Sequence, residues 1–284
     1  MTTFDREAAE RFVATHGRVL DWRRLAGGDV LAALDGFRND DGGYGWGIEP
    51  DLRSPGSQPT GAMHAFEVLA ELGQPTTQAR ALCDWLQSVS LPDGGLPFAL
   101  PIDDPTGCAP WWTGADTTTS ALQITAQVVA NAQLAARFDD GVGSHPWLAP
   151  ATAWCLDAIR AIDGPPHAYE LLFAARMLAA VDGTDDLLDH LATFVPADGL
   201  LAVEGGVEGE VLHPMKVVPS PDSRARRLYS PAALDADVAW LAAGQQDDGG
   251  WTVDFPSFSP AAALEWRGYA TVEAVRTLDA WATA

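Results

Sequence analysis

Three short phrases limit what this chain can fold into more than any other feature. FRNDDGGYGW fills 37–46, LQSVSLPDGGLPF fills 86–98 and GQQDDGGW fills 244–251. Each sets an aspartate and two glycines at the end of an apolar-periodic segment. Asp turns the chain locally, and Gly supplies left-handed backbone at no steric cost. The strong copies start at Asp41, Asp93 and Asp248; weaker ones include Asp140 (DDGVG) and Asp198 (ADGLL), giving intervals of 52, 47, 58 and 50 residues. A second phrase keeps the same beat. HAFEVL at 64–69, HAYELL at 167–172 and ATVEAV at 270–275 place Glu67, Glu170 and Glu273 at steps of 103, or two units. Self-similarity near 50 residues points to stacked supersecondary units.

Each unit holds two helices. LAALDGFRN (31–39) and ALCDWLQSVS (81–90) precede a glycine turn, and TGAMHAFEVLAELG (60–73) follows one. DTTTSALQITAQVVANAQLAARF (116–138) follows the second turn, and 147–162 and 166–181 form a further pair. Apolar residues recur at three and four, with little alternation of period two. The Gly-, Pro- and Val-rich stretch 199–229 reads as a long loop or short hairpin. Helix pairs that cannot bury both faces must pack on neighbours, in an open solenoid or a closed ring. A solenoid needs polar ends, whereas here the last repeat is the best preserved. That favours closure of one domain over 1–284, with an N-terminal helix (about 4–22) meeting the C-terminal one.

Composition excludes several classes. The chain has 284 residues, 47% of them hydrophobic, and 11 Trp, enough for a large core. It has no apolar run of about 18 residues, so no membrane span is expected. The N-terminus MTTFDREAAERFVATHG has no signal-peptide pattern. A formal charge of −22 and a pI near 4.3 disfavour phosphate backbones and anionic lipid. Cys83, Cys108 and Cys155 lie far apart and read as reduced thiols, consistent with a cytoplasmic protein.

Gln245-Gln246-Asp247-Asp248-Gly249-Gly250-Trp251, followed by a helix, resembles the QW-type repeat of squalene–hopene cyclases, other class II terpene cyclases and protein prenyltransferase β subunits. The chain is also similar to short, stand-alone prenyltransferase-like proteins frequent in actinobacteria. The resemblance implies an all-α fold, an α/α toroid with inner and outer rings of helices. It makes Gln246, Asp248 and Trp251 fasteners between outer helices, with Asp41, Trp46, Gln87 and Asp93 in the same role. Such a toroid gathers the loops after its glycine turns at one mouth. Those loops carry acids and aromatic rings, the mixture that class II cyclases use to protonate an alkene and stabilise a carbocation. Asp116, in TGADTT at the expected start of an inner helix, is the nearest counterpart of the cyclase DxDD motif, although the other acids are missing.

The candidate acids are therefore Asp116, Glu49, Asp51 and Glu265. Candidate substrate-binding residues are Trp46, His64, Trp111, Trp112, His167, His213, Phe255, Phe258, Trp266, Arg267 and Tyr269. Asp116 also reads as a plain helix cap, His64 and His167 as packing residues, and Glu265 and Arg267 as an internal ion pair. No metal or cofactor is expected: the zinc-binding Asp-x-Cys pair of prenyltransferases is absent around Cys108. The expected activity is acid-initiated chemistry on an isoprenoid or other apolar small molecule, or prenyltransferase-like chemistry. The alternative is a non-catalytic binding module, or a scaffold using its acidic surface, and a homodimer stays open.

Overall fold

A computed structural model describes residues 3–283. Among them the fold is helical. In chain order the helices are α1 (Arg6–His16), α2 (Val19–Ala26), α3 (Val30–Asp35), α4 (Pro59–Leu72), α5 (Thr77–Val89), α6 (Pro110–Thr113) and α7 (Leu122–Ala136). They continue as α8 (Asp140–Gly143), α9 (Leu148–Arg160), α10 (Ala168–Ala180), α11 (Asp185–Ala192), α12 (Pro214–Val217), α13 (Pro231–Ala243) and α14 (Pro260–Ala282). The stretch expected to be a loop or hairpin holds a small antiparallel hairpin, Leu201–Ala202 paired with Val211–Leu212, followed by α12 and a 3-10 turn over Arg224–Leu228. No helix among the described residues is long and apolar enough to cross a membrane.

Helix starts follow local chemistry. Asp5, Thr76, Ser230 and Ser259 each accept a hydrogen bond from a backbone N–H of the first turn, at Ala8, Ala79, Ala233 and Ala262. Pro59, Pro231 and Pro260 stand at first helical positions, where no N–H is needed. Two expected boundaries shift. The N-terminal helix is two helices, broken at Gly17 and Arg18. The helix expected from residue 116 begins at Leu122, because the Asp116 carboxylate accepts from the Thr118 N–H and hydroxyl and holds a local turn instead.

The chain forms two compact units: residues 34–187 make one, and residues up to 33 with those from 188 onward make the other. In the first, α7 is central and packs on α4, α8, α9 and α10. Its residues from Ile124 to Ala132 are all buried, so it has no solvent face in its middle turns. In the second, α14 packs on α1, α2 and α13.

The three glycine turns share one construction. The second glycine's carbonyl accepts from the backbone N–H four residues earlier: Asn39 to Gly43 at 2.9 Å, Leu91 to Gly95 at 2.9 Å, Gln246 to Gly250 at 2.8 Å. The aspartate accepts from that glycine's N–H in each case. The first glycine is left-handed throughout, with φ of +90°, +95° and +93° at Gly42, Gly94 and Gly249. Each pair presses on one neighbouring helix at positions four apart. Gly42 meets the Ala81 carbonyl and Gly43 the Trp85 ring; Gly94 meets the Pro150 carbonyl and Gly95 the Trp154 ring. Gly249 and Gly250 meet the Ala8 carbonyl and the Phe12 ring. The last turn thus docks on α1 as the earlier ones dock on α5 and α9.

The fasteners differ in register from expectation. Gln245, one residue before the expected Gln246, reaches α1: its Oε1 accepts from Asp5 N at 2.7 Å and its Nε2 donates to Asp5 O at 2.7 Å. The Gln246 side chain donates to the Gly244 carbonyl of its own turn. Trp251 donates to Leu241 O at 2.7 Å. Gln87 is exposed, and Ser90 takes the linking role, accepting from the Trp147 indole at the start of α9.

Two glycines separate backbone strain from steric docking. Gly73 is left-handed (φ +62°) with open space at its Cβ position, whereas a Cβ on Gly249 would lie 2.3 Å from Ala8 O. Gly73→Ala is expected to lose about 1 kcal/mol of stability and Gly249→Ala about 3 kcal/mol or more in urea unfolding. Equal losses would show that docking on α1 adds nothing.

Candidate functional site

In the 34–187 unit the loops that follow the first two glycine turns meet at the N-terminal ends of α4 and α7. The Gln58 side chain mimics a strand: Oε1 accepts from Leu100 N at 2.8 Å and Nε2 donates to Leu100 O at 3.3 Å. Ala109 N donates to Asp51 O at 2.8 Å, and Leu52 bridges Cys108. Gly47 and Gly107, both left-handed, leave the space that the Arg53 side chain fills; a Cβ on either would lie about 3 Å from it.

These pairings bury a charged cluster. His64, in the second turn of α4, is 5% exposed. Its Nε2 lies 2.9 Å from Glu49 Oε2, and its Nδ1 lies 3.7 Å from Glu67 Oε2. Glu49 also accepts from the Thr60 hydroxyl and the Asp51 N–H, both at 3.4 Å. Burial works against the imidazolium, but hydrogen bonds and charge from Glu49 and Glu67 outweigh it and push His64 up to about 9. At neutral pH the cluster is therefore an imidazolium between two acids. Asp51, 2% exposed, sits beside it.

The aromatic residues of the two loops divide. Trp112 is buried and stacks on Phe98 at 4.9 Å. Trp46 and Trp111 stay 56% and 45% exposed. Trp46 is the one non-glycine residue with positive φ (+56°) among those described. Its indole N–H donates to Asn39 Oδ1 at 2.7 Å and its backbone N–H to Ser54 O. Cys108 turns its thiol onto the carbonyls of Asp104 and Thr106 in its own loop.

Asp116 is not placed with these groups as an acid would need to be. It lies on the surface in a turn, accepting from the N–H and hydroxyl of Thr118 at 2.8 and 2.7 Å. Hydrogen bonds from Thr119 and Thr118 lower it to about 2, so it is ionised and has no proton to give. Nor does it cap α7, whose N-cap is Ala121. His167 differs from His64 despite the shared phrase: it is the N-cap of α10, with Nδ1 accepting from Tyr169 N at 3.3 Å.

In the other unit, Arg267 is a fastener. It makes a two-pronged pair with Asp248 at 2.7 and 2.8 Å, donates to Trp251 O, and lies 4.5 Å over the Phe12 ring. Its partner is not Glu265, whose charge acts instead on Arg18. Trp266 stands edge-on to Phe255 at 5.1 Å and to Tyr269 at 5.6 Å. Arg24 lies over Tyr269 and pairs with Glu273 at 2.7 Å. Phe258 is 45% exposed. His213 pairs with Asp237 at 2.6 Å and stacks on Trp240, two partners that sequence reasoning did not assign to it.

No protein-family model matches this sequence, and no curated protein does. Among solved structures, a crystal structure of a protein from Actinoplanes is similar, with 18% identity, covering 97% of this chain and 89% of that one at a TM-score of 0.54. At that identity the likeness speaks to fold alone.

The raised His64 fixes a pH dependence. Its folded value of about 9 exceeds its ordinary 6.5, so the cluster's stabilisation is complete below pH 6.5 and is lost as pH rises through 9. Unfolding free energy is expected to fall by on the order of 3 kcal/mol across that window. In His64→Gln the slope should flatten. A wild-type slope of zero between pH 6.5 and 9 would show that His64 is neutral in the fold.

Proposed function

We propose that the chain closes into an α/α toroid of the prenyltransferase and terpene-cyclase type, and that it holds an apolar, isoprenoid-like small molecule at the end where the inner helices begin. Docking of the last glycine turn on α1 supports closure. One observation carries the binding reading. In the 34–187 unit, each loop between a glycine turn and the next long helix leaves a large aromatic ring in water: Trp46 before α4 and Trp111 before α7. Isolated exposed aromatics need no explanation, but two at the same station of successive repeats describe a lined edge. Rings of this kind supply apolar contact area at little entropic cost.

Binding without turnover fits the charge states better than acid-initiated cyclisation. Protonating an alkene needs a neutral carboxylic acid in apolar surroundings. Asp116 is ionised at the surface, and Glu49 faces an imidazolium. The cyclisation reading keeps one specific support, the burial of Asp51, whose backbone N–H reaches Glu49.

Farnesol and geranylgeraniol titrated against tryptophan fluorescence test the binding reading. A saturable change is expected, and Trp46→Ala or Trp111→Ala should weaken it roughly tenfold. A flat titration with both alcohols would sink the reading. Incubation with farnesyl diphosphate, geranylgeranyl diphosphate and squalene, followed by analysis of organic extracts, separates the two readings. A cyclised product that disappears in Asp51→Asn would make the protein an enzyme.

A further inference from the structure

The unit built around α14 holds a second polar constellation that is independent of that edge. Asp237, on α13, is buried. Its Oδ2 accepts from Met215 N at 2.7 Å, which ties α12 to α13. Its Oδ1 lies 2.6 Å from Nδ1 of His213, just before α12. Tying the segment down would need only the first of these bonds. The second places the imidazole proton on Nδ1 and leaves Nε2 as a lone-pair acceptor, for which the described residues offer no partner. The imidazole lies flat on the Trp240 ring, with centroids 3.5 Å apart and planes 9° from parallel.

Two further features adjoin the pair. Trp240 is 45% exposed, so part of its surface is open to a ligand, and the His213 side chain keeps 12% of its own. Tyr229 is 8% exposed, and its hydroxyl has no hydrogen-bond partner among the described residues. Its ring shares Gly199 with Pro214, the residue after His213: a Cβ on Gly199 would lie 3.1 Å from the Tyr229 ring and 2.9 Å from the proline. Burial, and then the Asp237 charge, push the phenol upward, so it keeps its proton and can donate. A buried donor without a partner is costly unless a water or ligand satisfies it.

We propose that His213, oriented by Asp237, is the proton acceptor of a hydrolytic site for small carboxylic esters. His213 Nε2 takes a proton from water as the water oxygen bonds to the carbonyl carbon. The phenol of Tyr229 donates a hydrogen bond to the carbonyl oxygen as it gains charge. The carbon–oxygen bond to the leaving alcohol then breaks, and the alkoxide takes the proton back from Nε2. Acid and alcohol leave, and the imidazole is restored. The outer surface of Trp240 receives an apolar or flat acyl group. His213 is the catalytic residue here, and Asp237 positions it.

The test uses p-nitrophenyl acetate and p-nitrophenyl butyrate with the full chain. Hydrolysis above the buffer rate is expected, with His213→Gln at background and Asp237→Asn down roughly tenfold or more. Nitrogen chemical shifts of the histidine ring report the positioning role separately: wild type should show the proton on Nδ1, and Asp237→Asn a mixture of tautomers. Should either variant fail to fold, diethyl pyrocarbonate decides on the native chain. It acylates an available, unprotonated Nε2, and mass mapping should place a carbethoxy group on His213 with loss of the ester rate. Full activity in folded His213→Gln, no hydrolysis of either ester by the wild type, or an unlabelled His213 beside labelled exposed histidines would each overturn the proposal.

Discussion

The fold rests on a close approach of backbone to backbone that only glycine permits. Each strong turn sends its first glycine against a carbonyl of a neighbouring helix and its second against a ring one helical turn further on. The first must also be left-handed, a region other residues enter at a cost. Two unrelated requirements therefore fall on adjacent residues, and the aspartate before them settles the turn by accepting the second glycine's N–H. Because this contact fixes where a neighbouring helix lies, it also fixes where the following loop starts. The functional groups inherit their positions from it.

Much of this was legible in the sequence, since a turn that demands Asp-Gly-Gly cannot hide. The spacing gave the helix pairs, and the ends of α4, α9 and α10 fall within a few residues of expectation. Register inside a motif was less legible. Gln245 and Gln246 are chemically identical neighbours, and only the path of α1 decides which one reaches Asp5. The paired phrases at 64–69 and 167–172 misled for a related reason. Pro59 starts α4 early enough to put His64 in its second turn, whereas the helix after Pro165-Pro166 starts so late that His167 becomes its cap. The Glu49–His64 pair was named residue by residue but not as a pair, because the contact depends on a loop path fixed by Gln58 and Leu100.

Charge is allocated in the same economical way. The chain has 39 acids against 17 Lys plus Arg. Several of its scarce cations are turned inward onto acids: Arg18 onto Asp21, Arg24 onto Glu273, His64 onto Glu49 and Glu67. Removing one partner from such a pair strands a buried charge, so these contacts specify the packing more than they add net stability. The surface is left with the unmatched acids. Its acidity thus follows in part from what the interior uses, and it need not signal a basic partner.

The tryptophans divide between those that pack and one that does not. Trp85 and Trp154 cover glycine turns, and Trp251 is buried with its indole N–H on a helix carbonyl. Trp46 does none of this. It is held in a left-handed conformation that a side chain of its size disfavours, and more than half of it faces water. Its fixed hydrogen bonds to Asn39 and Ser54, and the tight passage of Gly45 past Pro55 and Gly56, hold the ring in that position. A disordered surface ring would carry neither cost. Strain and exposure on one rigidly held residue mean that the surrounding loop over-determines its placement, which is what the proposed binding role requires of it.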